Sequence, residues 1–265
     1  NYAGGGSGQG IKDIKAGTVD FAGSDALLAD KDYTDVPNLQ MIPTVAGAVV
    51  LAYNVKGITT SLTLDANTVA EIYLGKIEKW NDPAIAALNL DVKLPDLPIN
   101  VVHRSDGSGT TNIFTLYLSA VSDDWKKGPG AGTAVDWPVD KLNRGQGGKG
   151  NPGVAAAIQN TNGAIGYVEL AYAKSNNILY AKMINASGET VEASIPSTVA
   201  AIKDAQFDDK LGAIIVNTKE ADGWPIAGFT YLIVNKDYKD CKKAGKLVGF
   251  MNWALTNAAA TDRAS

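Results

Sequence analysis

Residues 103–111, His-Arg-Ser-Asp-Gly-Ser-Gly-Thr-Thr, set the only histidine of the chain and an arginine just ahead of Ser108-Gly109-Thr110, with a helical pattern behind. Three chemistries use such residues at such spacing: an activated serine, a nucleotide-phosphate loop, and a seat for a small anion. A second stretch, Gly6-Ser7-Gly8-Gln9-Gly10, has the same layout and opens onto Ile11. Each loop offers a hydroxyl, unhindered backbone N–H groups and the positive end of a helix, which together hold an anion. Taken alone, Ser7, Ser108 and Thr110 read more readily as the N-caps of two helices. Two such loops in one chain, with Arg104 four residues before Ser108, favour the anion seat.

The other two chemistries fail on spacing. A dinucleotide loop requires G-x-G-x-x-G, but after Gly4 and Gly6 the third position is Gln9. A P-loop ending in Gly148-Lys149 would require glycine at Asn143 and a hydroxyl residue at Gly150. A nucleophile elbow centred on Ser108 would need glycine where Asp106 stands. His103, as the sole histidine, would have to be the base of any serine triad, yet triad members usually come from separate segments. It reads instead as the end of a strand. A histidine-cluster metal site is excluded by count, and the single Cys241 excludes an internal disulfide and a cysteine cage. The reading therefore has no catalytic residue, no metal and no cofactor.

Strands alternating with helices must position these loops. Ile11–Ala16 has apolar residues three apart and stops at Gly17; Val19–Ala22 reads as a short strand leading to Ser24-Asp25. Ala46–Tyr53 is a near-continuous apolar strand, as expected when both faces are covered. Asn67–Leu74 reads as a helix and Ile99–Val102 as a strand feeding the Arg104 motif. Residues 127–153 are rich in glycine and proline and predict a long surface connection. Helices are predicted at Val154–Gln159, Leu170–Ala173 and Ala244–Ala254, with strands at Ala164–Val168 and Gly228–Val234. This order indicates an α/β architecture with mainly parallel sheets, whose ligands sit at the carboxyl ends of strands.

With 265 residues, 45% of them hydrophobic, the chain can bury a sizeable core as one large domain or two smaller ones. It has no internal repeat and no apolar run long enough to span a bilayer. The net charge is −4, and the short pairs Lys126-Lys127 and Lys242-Lys243 are flanked by carboxylates, so no nucleic-acid partner is expected. Net acidity does not oppose an anion held locally by backbone N–H groups.

The stretches "NYAGGGSGQGIKDIKAGTVDFAGSDALL", "IYLGKIEKWNDPAI", "VVHRSDGSGTTNIFTLYL", "GGKGNPGVAAAIQNTNGAIGYVELAYA" and "GWPIAGFTYLIV" closely resemble, in order, the periplasmic phosphate-binding proteins of bacterial phosphate ABC transporters. The resemblance covers nearly the whole chain, and the tandem of "FAGSD" and "RSDGSGTT" is its most specific part. It implies the type II periplasmic-binding-protein fold: two α/β lobes, mainly parallel sheets flanked by helices, and two crossing strands as hinge. The crossings are expected near Thr44–Ala46 and Pro225–Gly228. Lobe I then comprises residues 1–45 and 227–265, discontinuous in sequence, and lobe II residues 46–226. The family begins with a strand, a glycine loop and a helix ahead of the equivalent of Asn1 and continues past that of Ser265. A chain lacking those ends is thus expected to be a portion of such a protein, with an incomplete lobe I.

By motif position the resemblance assigns phosphate to Ser7, Asp25, Arg104, Ser108, Gly109 and Thr110, with Asp106 holding the arginine in place. Arg104 can give two parallel charged hydrogen bonds; the serine and threonine hydroxyls and the loop N–H groups are neutral donors. Asp25 beside an anion makes sense if it accepts the O–H of phosphate, because sulfate has no proton to give and is repelled. The implied protein captures inorganic phosphate, closes on it, and delivers it to ABC-transporter permease subunits. It is expected to be periplasmic or extracytoplasmic, a cell-surface lipoprotein in a Gram-positive organism, and a monomer when complete. The alternatives are a serine-type phosphatase or hydrolase using Ser108 with His103, and the same fold reused for assembly or adhesion.

Overall fold

The computed structural model describes residues 3–203 and 205–257; the expected lobe I residues 1, 2 and 258–265 lie outside that range. α1 (Gly6–Lys15) starts inside the first glycine loop, earlier than the apolar spacing from Ile11 predicts, and its first residue, Gly6, has φ +75°. Gly17, at φ +68°, follows its end. β1 (Phe21–Ser24) carries the chain to Asp25, and α2 (Asp30–Asp35) leads into the long β2 (Leu39–Asn54). β3 (Thr63–Leu64), α3 (Ala66–Tyr73) capped by Asp65, and α4 (Pro83–Ala87) capped by Asp82 precede β4 (Asn100–Arg104). α5 (Gly109–Val121) and α6 (Asp123–Lys127) are capped by Ser108 and Ser122.

Residues 127–153 do not form the predicted surface connection. They hold α7 (Pro138–Lys141), β5 (Gly145–Gly148) and the start of α8 (Gly150–Asn160). β5 pairs parallel to β4 from Val101↔Gly145 to Arg104↔Gly148. Its pairing is made by the main chain, so the segment "GQGG" needs no apolar pattern. A Cβ on Gly148 would lie 2.6 Å from the backbone nitrogen of Val154, so glycine lets α8 pack against the strand. β6 (Ala164–Glu169) and α9 (Leu170–Ser175) follow as expected. β7 (Leu179–Tyr180), β8 (Lys182–Ile184), β9 (Thr190–Val191) and α10 (Ile195–Ile202) come next. β10 (Ala227–Asn235) and α11 (Cys241–Thr256) complete the described chain.

The main sheet has the order β1-β10-β2-β6-β4-β5, with β7 also on β2, and a small sheet runs β3-β8-β9. The expected mainly parallel sheets are in fact mixed. β4 is parallel to β5 and β6, whereas β1–β10, β10–β2, β2–β6 and β2–β7 are antiparallel. The cause is the route of the chain: it runs out along β2 and returns along β10, so these two long strands must oppose each other. They pair from Leu39↔Asn235 to Ala48↔Ala227, with one register shift. There Thr230 faces Val45 and Tyr231 faces Pro43, leaving Thr44 as the extra residue of a bulge. The Thr44 hydroxyl donates to the Thr230 carbonyl at 2.7 Å.

Beyond this crossing the apolar half of β2 is buried, with Val50, Leu51 and Ala52 fully enclosed. Trp224 Nε1 donates to the Val49 carbonyl at 2.9 Å, tying the return segment to β2. Under α5, Phe114 stacks on Tyr167 (4.7 Å between centroids) and meets Tyr73 edge-on. This aromatic cluster fixes the helix whose first turn forms one wall of the site.

Candidate functional site: an anion seat between two glycine loops

Ser108 is fully buried, and its Oγ accepts from Thr111 N–H at 3.1 Å. Its carbonyl takes the Asn112 N–H at 3.1 Å. The N–H groups of Gly109 and Thr110 precede any intrahelical bond and form the open, positive end of α5. The N-cap reading of Ser108 is therefore correct, and it is compatible with the anion reading, because the hydroxyl still has its proton to donate.

Arg104 ends β4, nearly buried, with its backbone N–H donating to the Tyr167 hydroxyl at 3.0 Å. Its Nε and Nη2 donate to Asp106 Oδ1 and Oδ2 at 2.8 and 2.6 Å. Gly150 N–H also donates to Asp106 Oδ1, at 2.9 Å. This pairing uses one edge of the guanidinium; on the other edge Nη1 donates only a long bond to Thr110 Oγ1, at 3.5 Å, so the Nη1–Nη2 edge can turn to a stronger acceptor. The Arg104 hydrogen bonds hold the Asp106 carboxyl below its ordinary pKa, so the orienting partner stays charged.

The first loop meets the second directly. Gly8 N–H donates to the Gly107 carbonyl at 3.1 Å. A Cβ on Gly109 would collide with the Ser7 hydroxyl and lie 2.7 Å from Asp25 Oδ2. Ser7 Oγ accepts from Asp25 N–H at 3.1 Å, which leaves its own proton free. Asp25 Oδ1 accepts from the Thr230 hydroxyl at 2.7 Å. Burial pushes the Asp25 carboxyl up, against the Thr230 hydrogen bond and the Arg104 charge, which favour its ionised form. All seven residues singled out in the sequence, Ser7, Asp25, Arg104, Asp106, Ser108, Gly109 and Thr110, thus gather at one place.

Sequence reasoning missed Glu169. It ends β6, and its Oε1 accepts from the Thr110 hydroxyl at 3.2 Å and from Asn151 Nδ2 at 3.0 Å. The Thr110 proton, expected to face an anion, is therefore directed at Glu169. Burial and the Asp25 charge push the Glu169 carboxyl up. The available signal was its position, a carboxylate at the carboxyl end of an apolar strand. Two cavities, of about 680 and 590 Å³, adjoin the site, and Asp25, Glu169 and Thr230 lie on the walls of both.

The hydrolase alternative meets the wrong geometry. His103 Nε2 bonds Asp140 Oδ1 at 2.9 Å, its Nδ1 lies 3.0 Å from the Arg104 carbonyl, and its ring stacks on Trp137. Both ring nitrogens are thus engaged away from Ser108, so His103 is not placed as its base.

The model of the PBP superfamily domain matches residues 1–258, which places this mixed α/β fold in a class of solute-binding proteins. "Phosphate-binding protein PstS" of Xylella fastidiosa (strain 9a5c) is 42% identical over 260 residues, covering 97% of this chain and 70% of the relative. The protein of the same name from Methanocaldococcus jannaschii is 37% identical over 276 residues, covering 96% of this chain and 70% of the relative. The chain belongs to this PstS family of phosphate-binding proteins. Among solved structures, a high-affinity periplasmic phosphate-binding protein with bound phosphate shares the fold at a TM-score of 0.75 and 22% identity, over 96% of this chain and 80% of that one. An ABC-type phosphate transport receptor from Vibrio cholerae matches at 0.59 and 15%, over 97% and 82%.

Proposed function

We propose that the chain captures inorganic phosphate between its two glycine loops and presents it to the permease of an ABC transporter outside the cytoplasm. The observation that carries this reading is the meeting of the loops. Gly8 bonds Gly107, and the open end of α5 faces Ser7 and Asp25 beside an arginine already oriented by Asp106. Phosphate would take the Nη edge of Arg104, replacing the long bond of Nη1 to Thr110 Oγ1, together with the N–H groups of Gly109 and Thr110 and the hydroxyls of Ser7 and Ser108. Asp25 would accept the remaining phosphate proton. In this reading residues 1–45 and 227–265 form lobe I and residues 46–226 lobe II, with β2 and β10 as the hinge strands around the Thr44 bulge. Donors from both lobes stabilise the closed state over the open one, which couples binding to recognition by the permease. A role in assembly or adhesion has no observation of its own in its favour.

Titration calorimetry of the purified chain with inorganic phosphate tests the proposal. Saturable binding of one phosphate per chain is expected, with sulfate at least a hundredfold weaker and no turnover of a chromogenic phosphate ester. Ester hydrolysis abolished by Ser108→Ala, or absence of phosphate binding, would overturn it.

A further inference from the structure

Phosphate capture as described leaves one carboxylate of the cleft without a task. Glu169 closes β6 opposite Val49 of β2 and stands beside Asp25 and Thr230 on the walls of both cavities. Its two oxygens differ in their surroundings. Oε1 accepts from Thr110 and from Asn151, and Asn151 Oδ1 in turn takes the Glu169 backbone N–H at 3.3 Å. Oε2 takes no hydrogen bond among the described residues. The side chain is thus clamped by one oxygen, with the other uncommitted.

The charges facing it are Asp25 after β1, Arg104 on β4, Asp106 behind Arg104, and the exposed Lys174 of α9 on the wall of the larger cavity. β2 brings no titratable side chain between Thr44 and Ala52, and α5 and α8 contribute the neutral Thr110 and Asn151. Arg104 is already matched by Asp106 through two hydrogen bonds. With Asp25 and Glu169 both ionised, the cleft is net negative before any anion enters, and a dianion makes it more so. One carboxyl held neutral relieves this. Asp25 is the worse choice, since Thr230 holds its Oδ1 and its Oδ2, against Gly109, is the oxygen that takes the phosphate proton. At Glu169 burial and the charge of Asp25 favour the acid form, against the hydrogen bonds from Asn151 and Thr110 and the charge of Arg104, and its Oε2, without a donor, has room for the proton.

Resting on the phosphate reading above, we propose that Glu169 binds a proton on Oε2 as phosphate enters and donates that O–H to the anion. Capture then draws one proton from solvent. The two carboxyls divide the recognition: Asp25 accepts a hydrogen bond from phosphate and Glu169 gives one. A protonated Glu169 still accepts from Thr110 and Asn151 through Oε1, so no rearrangement accompanies the change.

Calorimetry with inorganic phosphate, repeated at each pH in buffers of different ionisation enthalpy, counts the protons bound per phosphate. Protons exchanged by phosphate itself are common to the parent and Glu169→Gln, so the difference between them reports Glu169. The parent is expected to take up more, the difference approaching one proton above neutral pH. Its affinity should also fall up to tenfold more per pH unit than that of Glu169→Gln, whose amide donates at every pH. Glu169→Ala, lacking the donor, should bind more weakly than Glu169→Gln throughout. Equal proton uptake with parallel pH profiles, or equal affinity of the Ala and Gln variants, would overturn the proposal. Failure of the parent to bind phosphate would instead overturn the functional reading.

Discussion

A carboxylate beside an anion is selective when the anion brings its own proton. Asp25 has one oxygen occupied by Thr230, while its other oxygen lies against Gly109 at the start of α5. Hydrogen phosphate can satisfy that second oxygen; sulfate cannot, and meets the repulsion unrelieved. Asp25→Asn keeps an acceptor for Thr230 and removes the charge. The phosphate-to-sulfate affinity ratio, measured by competition, should fall at least tenfold in this variant, mainly through tighter sulfate binding. An unchanged ratio would mean that Asp25 does not face the anion.

At the scale of elements, α5 is aimed by its capping serine at one end and by the Phe114–Tyr167 stack beneath it. Its first residue must be small. A side chain on Gly109 has no room beside Ser7 and Asp25, although its backbone lies outside the left-handed region. Gly109→Ala therefore changes crowding alone and should hold the loops apart. A loss of at least tenfold in phosphate affinity, about 1.4 kcal/mol, is expected by calorimetry, with small-angle scattering showing a more open molecule. The elements around this contact were legible to different degrees. α3, β4, β6 and the core half of β2 carry continuous or periodic apolar residues and were placed to within a few residues. β5 was not, because a "GQGG" strand is specified by its neighbour β4 and not by side chains. The seven candidate residues were picked out by three stretches, GSGQG, FAGSD and RSDGSGTT, and the fold gathers them, whereas Glu169 sits in an apolar strand end with no motif and acquires its surroundings from α5 and α8.

Across the whole molecule, the cleft stores like charge that folding must accommodate. The carboxyls of Asp25 and Glu169 are both pushed up by burial, so the folded chain binds more protons than the unfolded chain between the two states' pKa values. Their contribution to stability is fully present below about pH 4 and is lost as pH rises through the folded-state values. Asp106, held down by Arg104, acts in the opposite sense, its contribution being lost as pH falls. It is common to parent and variant and cancels in their difference. Without phosphate, Asp25→Asn/Glu169→Gln should gain in melting temperature relative to the parent as pH is raised from 4 to 7. A constant difference would show that the two groups titrate as they do in the unfolded chain.

The hydrogen bond from Gly8 to Gly107 joins two residues that have no side chains. Truncation scanning, which learns by deleting atoms beyond Cβ, has nothing to delete at either position and would record this junction as silent. Only the addition of atoms, or chemical editing of the main chain such as an amide-to-ester exchange at Gly8, reports on it. A map of this protein assembled from side-chain truncations alone would therefore credit Arg104 and its neighbours with the whole energy that holds the two loops together. The share carried by the bare backbone would go unseen.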